Sequence, residues 1–242
     1  MKKITAILFS AMLALSLTAC GNSNQNSAEN IPTETVALVT ESAEDKTEST
    51  ETSNTAEAEN NNILVAYFSV METDGVDTVS SASRVAVNGE VLGNNEYIAR
   101  IIQRETGGEL FSIETVQGYP TTHDSLLEFA YNEKADNARP ELSTQIENPD
   151  SYDVIFLGYP NWNADLPMPF YTFLEEYDFS GKTIIPFTTH GGSGFSRTIQ
   201  TISELQPNAN VISDGLSIFR DNVSEAENDV VNWVNDLDLN AE

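Results

Sequence analysis

The sequence predicts an α/β domain: a doubly wound, five-stranded parallel sheet with a small hairpin inserted after the first strand. Two observations carry this expectation. Apolar runs alternate with amphipathic stretches through 63–242, and a parallel sheet with crossover helices is the economical way to bury both. The first run, Ile63-Leu64-Val65-Ala66-Tyr67-Phe68, stays apolar until Ser69, as a strand buried on both faces must.

The remaining elements follow in order. Residues 94–106 read as a helix with Ile98, Ile101 and Ile102 on one face, stopped by Gly107-Gly108. A second strand is expected over 110–115, then a helix over 124–138 with Leu127, Ala130 and Tyr131 on one side. The third strand is 152–158, followed by a short helix over 168–177, and 182–188 is the fourth. Phe195, Ile199, Ile202 and Leu205 mark the next helix, and 210–213 begins the last strand. Ser224 with Glu227 reads as a capping box, and Val230, Val234 and Leu237 give the final helix its stripe. The insert, 70–93, carries Asn88-Gly89 between Val85, Val87 and Val91, which reads as a hairpin. A connection of this length is usually functional rather than filler.

Charge and cysteine usage narrow the function classes. The 242 residues hold 11 Lys+Arg against 38 Asp+Glu, for a net charge of −27. Such a surface repels phosphate backbones, so nucleic acid is excluded as a partner. A single cysteine excludes an internal disulfide framework, a cysteine-ligated zinc, an iron–sulfur cluster and C-x-x-C chemistry. Electrons, if the protein moves them, need a bound cofactor.

Three segments are expected: 1–19, 20–62 and 63–242. Lys2 and Lys3 precede an apolar stretch over 4–15, too short to span a bilayer but right for a signal core. It ends in Leu17-Thr18-Ala19-Cys20-Gly21, which resembles a bacterial lipoprotein signal with Cys20 as the lipid attachment residue. The resemblance implies export and a lipid anchor to the cell membrane through Cys20. Residues 21–62 lack Trp, Tyr and Phe and bury too little apolar area to offset the entropy of ordering, so a disordered acidic tether is expected. Residues 63–242 keep 29 acidic and 8 basic residues, a charge of −21.

In an open parallel sheet, ligands bind beyond the carboxyl ends of the strands at the switch in strand order. Beyond strand one lie Ser69 and, past the insert, Gly93-Asn94-Asn95 at a helix N-terminus. They offer hydroxyl, amide and backbone N–H groups with no Lys or Arg, a neutral cradle for a phosphate monoester. Beyond strand three lie Tyr159-Pro160-Asn161-Trp162-Asn163, an aromatic beside two amides. Beyond strand four come Thr188-Thr189-His190-Gly191-Gly192-Ser193-Gly194, whose glycines let backbone N–H groups approach a ring edge. A phosphate, a flat ring and hydrogen-bonding edges together describe flavin mononucleotide, FMN.

The run 63–69, Phe156-Leu157-Gly158-Tyr159-Pro160-Asn161-Trp162, Tyr177-Asp178-Phe179-Ser180-Gly181-Lys182-Thr183 and Thr189-His190-Gly191-Gly192-Ser193-Gly194 resemble a bacterial flavodoxin family. The resemblance covers nearly all of 63–242. It implies the flavodoxin-like strand order 2-1-3-4-5 and noncovalent FMN. The family's phosphate loop ends in Gly-Asn-Thr, where this chain has Gly93-Asn94-Asn95 split from Ser69 by the insert. Asn163 stands where a second aromatic often follows Trp162, leaving one flavin face less covered.

Several residues admit plainer readings. Trp162 could pack a loop onto the sheet, but a tryptophan among Pro and Asn has no core periodicity, so stacking on the flavin is preferred. His190 is placed near the pyrimidine end of the ring, without a proton-transfer role. His123 reads as the start of a surface helix, and two histidines 67 positions apart predict no metal site. Residues 77–83 loosely resemble an acceptor motif for covalent flavin at Ser83; a plain polar loop is preferred.

The leading expectation is a membrane-tethered, extracytoplasmic, flavodoxin-like electron carrier serving a basic redox partner protein. With no charge in the cradle and −21 on the domain, full reduction to an anionic ring is disfavoured, which predicts a low potential for that step. An FMN-dependent NAD(P)H:quinone-type reductase is the alternative, marked by bleaching with NADH or NADPH alone. A non-redox tethered binding module is the third, marked by a colourless protein.

Overall fold

The computed structural model describes residues 62–73, 84–237 and 239. The expected signal segment 1–19 with Cys20, the tether up to Asn61 and the stretch 77–83 lie outside the described residues. Strand β1 is Ile63–Tyr67, buried at every position. Leu64 and Ala66 enter one core, Ile63, Val65 and Tyr67 the other, as the two-residue period of a strand dictates. The hairpin β2 (Arg84–Val87) and β3 (Glu90–Gly93) follows, paired in antiparallel register. Asn88 at φ 53° and Gly89 at φ 85° make the tight turn that an Asn-Gly pair favours. Val85 pins the hairpin to the core at 5% exposure.

Helix α1 (Asn94–Thr106) starts directly at the end of β3 and stops at Gly107, whose φ of 71° is the left-handed cap. Next come β4 (Glu109–Ser112), α2 (His123–Ala135), β5 (Val154–Pro160), α3 (Met168–Glu176), β6 (Thr183–His190) and α4 (Thr198–Leu205). The chain closes with β7 (Asn210–Val211), β8 (Leu216–Phe219) and α5 (Glu227–Asp236). The sheet runs β4-β1-β5-β6-β7, all parallel, with β8 also on β6. This is the expected 2-1-3-4-5 order. One apolar core holds side chains of α2, α3 and α4, the other those of α1 and α5.

The fifth strand departs from expectation by coming in two pieces. Ile184 presents its carbonyl to the last strand, where it accepts from Ile212 N at 2.8 Å. Two residues on, Pro186 faces the same edge with no N–H to give, and Gly215 passes so close that a Cβ there would sit 2.3 Å from the Pro186 carbonyl oxygen. The ladder therefore breaks between Val211 and Leu216. Helix α2 buries the expected Ala130 together with Leu126, while Leu127 is half-buried and Tyr131 is 63% exposed, so its inward face does not reach Tyr131.

The capping box at Ser224 does not form. Residues Arg220–Glu225 make a 3₁₀ helix, and Ala226 at φ −80°, ψ −3° carries it into α5. Helical geometry already present before Glu227 leaves no extended position from which Ser224 could cap.

Gly158 shows how tightly the central strands pack. A Cβ there would lie 2.0 Å from Cζ of Phe187, which is fully buried on the paired strand. Gly158→Ala should lower unfolding free energy by ~1–3 kcal/mol, read as a fall in urea midpoint. An unchanged midpoint would contradict this packing.

Candidate functional site

Three loops converge at the carboxyl edge, and Thr189 joins them. Its backbone oxygen accepts from Asn161 N at 2.9 Å, and its hydroxyl accepts from Asn95 Nδ2 at 3.0 Å. The start of α1, the end of β5 and the end of β6 are thereby tied at one fully buried residue. The β5–β6 pairing continues beneath it, with Thr188 Oγ1 donating to the Tyr159 carbonyl at 2.7 Å.

The insert does not pull the two halves of the expected phosphate cradle apart. The hairpin returns the chain so that a Cβ on Gly93 would stand 2.1 Å from Ser69 Oγ. Ser69 and Gly93-Asn94-Asn95 thus adjoin, and a side chain at 93 would displace that hydroxyl. Gly93 precedes α1 in extended geometry and no side chain caps the helix. Asn94 and Asn95 are 2% and 0% exposed.

At this edge the buried side-chain oxygens Asn95 Oδ1 and Asn161 Oδ1 have no hydrogen-bond partner. Asn161 is held by its other end, Nδ2 donating to Gly194 O at 2.6 Å and to Ser196 Oγ at 3.1 Å. The Gly194 carbonyl fixes which end is the donor. Unpaired buried acceptors cost about 1–3 kcal/mol each, a cost that a ligand offering O–H or N–H groups removes. Helix-start amides and buried amide oxygens are groups that a phosphorylated, hydroxyl-bearing ligand could engage.

The third loop is arranged around His190. Gly192 N donates to His190 Nδ1 at 2.9 Å, which requires that nitrogen to be unprotonated, and Gly192 reaches this position at φ 125°. The His190 ring meets Phe219 edge-on at 6.0 Å. Gly191 is half-buried and Gly192 exposed.

Trp162 is not a free loop aromatic. It is 3% exposed in the core, its ring 5.6 Å from both Phe68 and Tyr119, and its Nε1 is buried without a hydrogen-bond partner. Pro160 is the buried last residue of β5. Asn163 (φ 52°) and Ala164 (φ 60°) form a left-handed turn closed by the Trp162–Asp165 bridge. The Asn163 carbonyl accepts from Lys134 Nζ at 2.8 Å. Tyr119 was not singled out by sequence. It follows β4, a loop off the expected switch point, and donates to Glu133 Oε2 at 2.5 Å. Burial and that carboxylate push its phenol well up, and burial raises Glu133. Among the described residues no group of three His, Cys, Asp or Glu side chains could hold a metal. None of their helices is long and apolar enough to cross a membrane.

Strand order 2-1-3-4-5, with the start of α1 at the switch between β1 and β5, defines a flavodoxin-like fold. The chain belongs to the flavodoxin family, whose pattern it matches over residues 62–237. It is similar to a candidate flavoprotein from Bacteroides eggerthii, at 26% identity over 72% of this chain and 96% of that one, TM-score 0.52. A second, from Bacteroides uniformis, shares 25% identity over 68% and 96%, TM-score 0.50. A flavoprotein from Lactobacillus acidophilus, solved in complex with FMN, is 20% identical over 69% and 99%, TM-score 0.48. No curated protein matches the chain.

Burial lowers the His190 pKa below the ordinary 6.5. The unfolded chain therefore takes up this proton first as pH falls. The group's contribution to stability is complete above pH 6.5 and is lost as pH drops from there through the folded-state value. An NMR titration should place His190 below 6.5, and a value at or above it would contradict the Gly192 hydrogen bond.

Proposed function

We propose that this protein binds FMN noncovalently at the edge joined by Thr189 and serves as an electron carrier, anchored through a lipid on Cys20 at the outer face of a bacterial membrane. The observation that supports it most is the cradle: Ser69 against Gly93 and the uncapped start of α1, with no Lys or Arg at 69 or 93–95. Family membership supports the same reading.

FMN supplies the redox chemistry when bound; the protein supplies orientation and field. In this reading the Ser69 hydroxyl and the first α1 amides hold the phosphate. Asn95, Asn161 and the 189–192 backbone meet the ribityl chain and ring edge, while Trp162, packed on Phe68 and Tyr119, braces the β5 loop from the core. His190, kept neutral by burial and by its bond from Gly192, adds no positive charge. A neutral cradle in a domain of charge −21 disfavours an anionic reduced ring, so the final reduction step has a low potential. The same charge steers a basic redox partner, with an on-rate that falls as salt rises.

The full-length chain should retain FMN with quenched fluorescence after unbound ligand is removed. Gly93→Ala forces the Ser69 hydroxyl from its place and should weaken FMN by about tenfold to a hundredfold, the loss of one charge-assisted hydrogen bond. Circular dichroism of the variant should be unchanged. A folded protein that retains no flavin, or a variant with undiminished affinity, would overturn the assignment.

A further inference from the structure

A pocket of about 500 Å³ is walled by α2, the turn after β5, α3 and α4, within the ~300–1,000 Å³ range of small-molecule sites. Asn161 ties the β5 and β6 loops together through Gly194 and Ser196; past that tie, Asn163, Ala164, Asp165 and Arg197 line the pocket. The turn is held in a conformation its residues do not favour. Asn163 and Ala164 both lie in the left-handed region, where an alanine Cβ crowds the backbone. Two backbone bonds between Trp162 and Asp165, at 3.1 and 3.0 Å, and the Lys134 bond to the Asn163 carbonyl keep it closed. Strain of this kind is typical of ligand clamps, and here the turn carries Asp165 into the wall.

The charges of the wall are matched at one place and unmatched at another. Asp165 Oδ1 accepts from the Tyr171 hydroxyl and from Leu166 N, each at 2.9 Å, and Oδ2 pairs with Lys134 Nζ at 3.0 Å. That carboxylate is therefore fully engaged. Arg100, Arg104 and Arg139 each hold a carboxylate at 2.7–2.8 Å, whereas Arg197 is exposed and forms no ion pair among the described residues. Glu204, the other carboxylate of the lining, stands two turns further along α4. That is about 10 Å along the axis, roughly one Debye length at 0.1 M salt.

An unengaged guanidinium is a planar fork that matches a planar carboxylate, two N–H groups to two oxygens. Ala164, the Tyr171 ring and Leu205 give the lining an apolar part for a hydrocarbon body. Arg139 lies over the Tyr171 ring at 4.8 Å and holds it in place. Asp165, Glu204 and the charge of −21 on the domain disfavour a second negative charge on the ligand. We propose that this pocket binds a small organic monocarboxylate with an apolar or aromatic body, its carboxylate on Arg197. The inference goes beyond the FMN reading and does not depend on it.

The test titrates the ¹⁵N-labelled full-length chain by NMR at about pH 8, following the amides of Arg197 and Thr201, which are joined by the first bond of this face of α4 at 3.0 Å. The probes are benzoate, the uncharged benzamide of the same shape, and phenyl phosphate, a dianion at that pH. Two variants accompany them. Arg197→Gln removes the proposed anchor without disturbing any side-chain bond among the described residues. Arg104→Gln removes an exposed positive charge that is no part of the pocket.

Benzoate should shift both amides and bind at least about tenfold more tightly than benzamide or phenyl phosphate. Arg197→Gln should weaken benzoate about tenfold or more and remove its advantage over benzamide, while Arg104→Gln should leave its affinity unchanged. Three results would overturn the proposal: benzoate that moves neither amide, an affinity that Arg197→Gln leaves as it was or Arg104→Gln lowers equally, or phenyl phosphate bound as tightly as benzoate. Flavin plays no part in the readout, so a protein that retains no FMN leaves this test intact.

Discussion

The site depends on a single buried junction, Thr189 with Asn95 and Asn161. A parallel sheet leaves its carboxyl edge as a row of separate loops, and each loop alone could take many conformations. Here the hydroxyl and carbonyl of one residue at the end of β6 fix the helix start on one side and the β5 loop on the other. The junction is dry: all three residues are 1% exposed or less, where hydrogen bonds face little competition from water. The donor ends of both asparagines are engaged, that of Asn95 by Thr189 and that of Asn161 by Gly194 and Ser196, and their acceptor oxygens are left without partners. The fold thus sustains a local cost that a hydrogen-bond donor, from a ligand or a water, would offset.

The insert matters in the same terms. A connection from β1 to α1 that contains a hairpin would be expected to open the phosphate cradle. Instead, β3 runs straight into α1, and its last residue, Gly93, abuts Ser69. Local turn chemistry at Asn88-Gly89 and the anchoring of Val85 in the core restore the compact geometry that a short loop would provide. The insertion changes what surrounds the cradle, not the cradle itself.

Most of the fold was legible because buried parallel strands write themselves as apolar runs, as at Ile63 and Val154, and because Gly107 and Asn88-Gly89 are unambiguous punctuation. The split fifth strand was not, since it depends on which edge Pro186 faces, a matter of register that no local pattern contains. Ser224 failed as a cap because the preceding residues were already helical. At the site, the strand ends and helix start pointed to the loops that Thr189 ties together. The Thr189 junction needed the register of β5 against β6, and Trp162 needed to be seen on Phe68 and Tyr119 to be recognised as core. Tyr119 was invisible because it lies off the switch point.

The central claim is that the start of α1 and Ser69 hold a phosphate without any cationic side chain. Phosphorus NMR of FMN on the full-length chain tests it most directly, because a phosphate monoester in water titrates near pH 6. The account predicts a bound resonance distinct from free FMN whose shift does not change between about pH 5.5 and 8, the dianion being held by amides and hydroxyl throughout. A bound phosphate that titrates as free FMN does would contradict it.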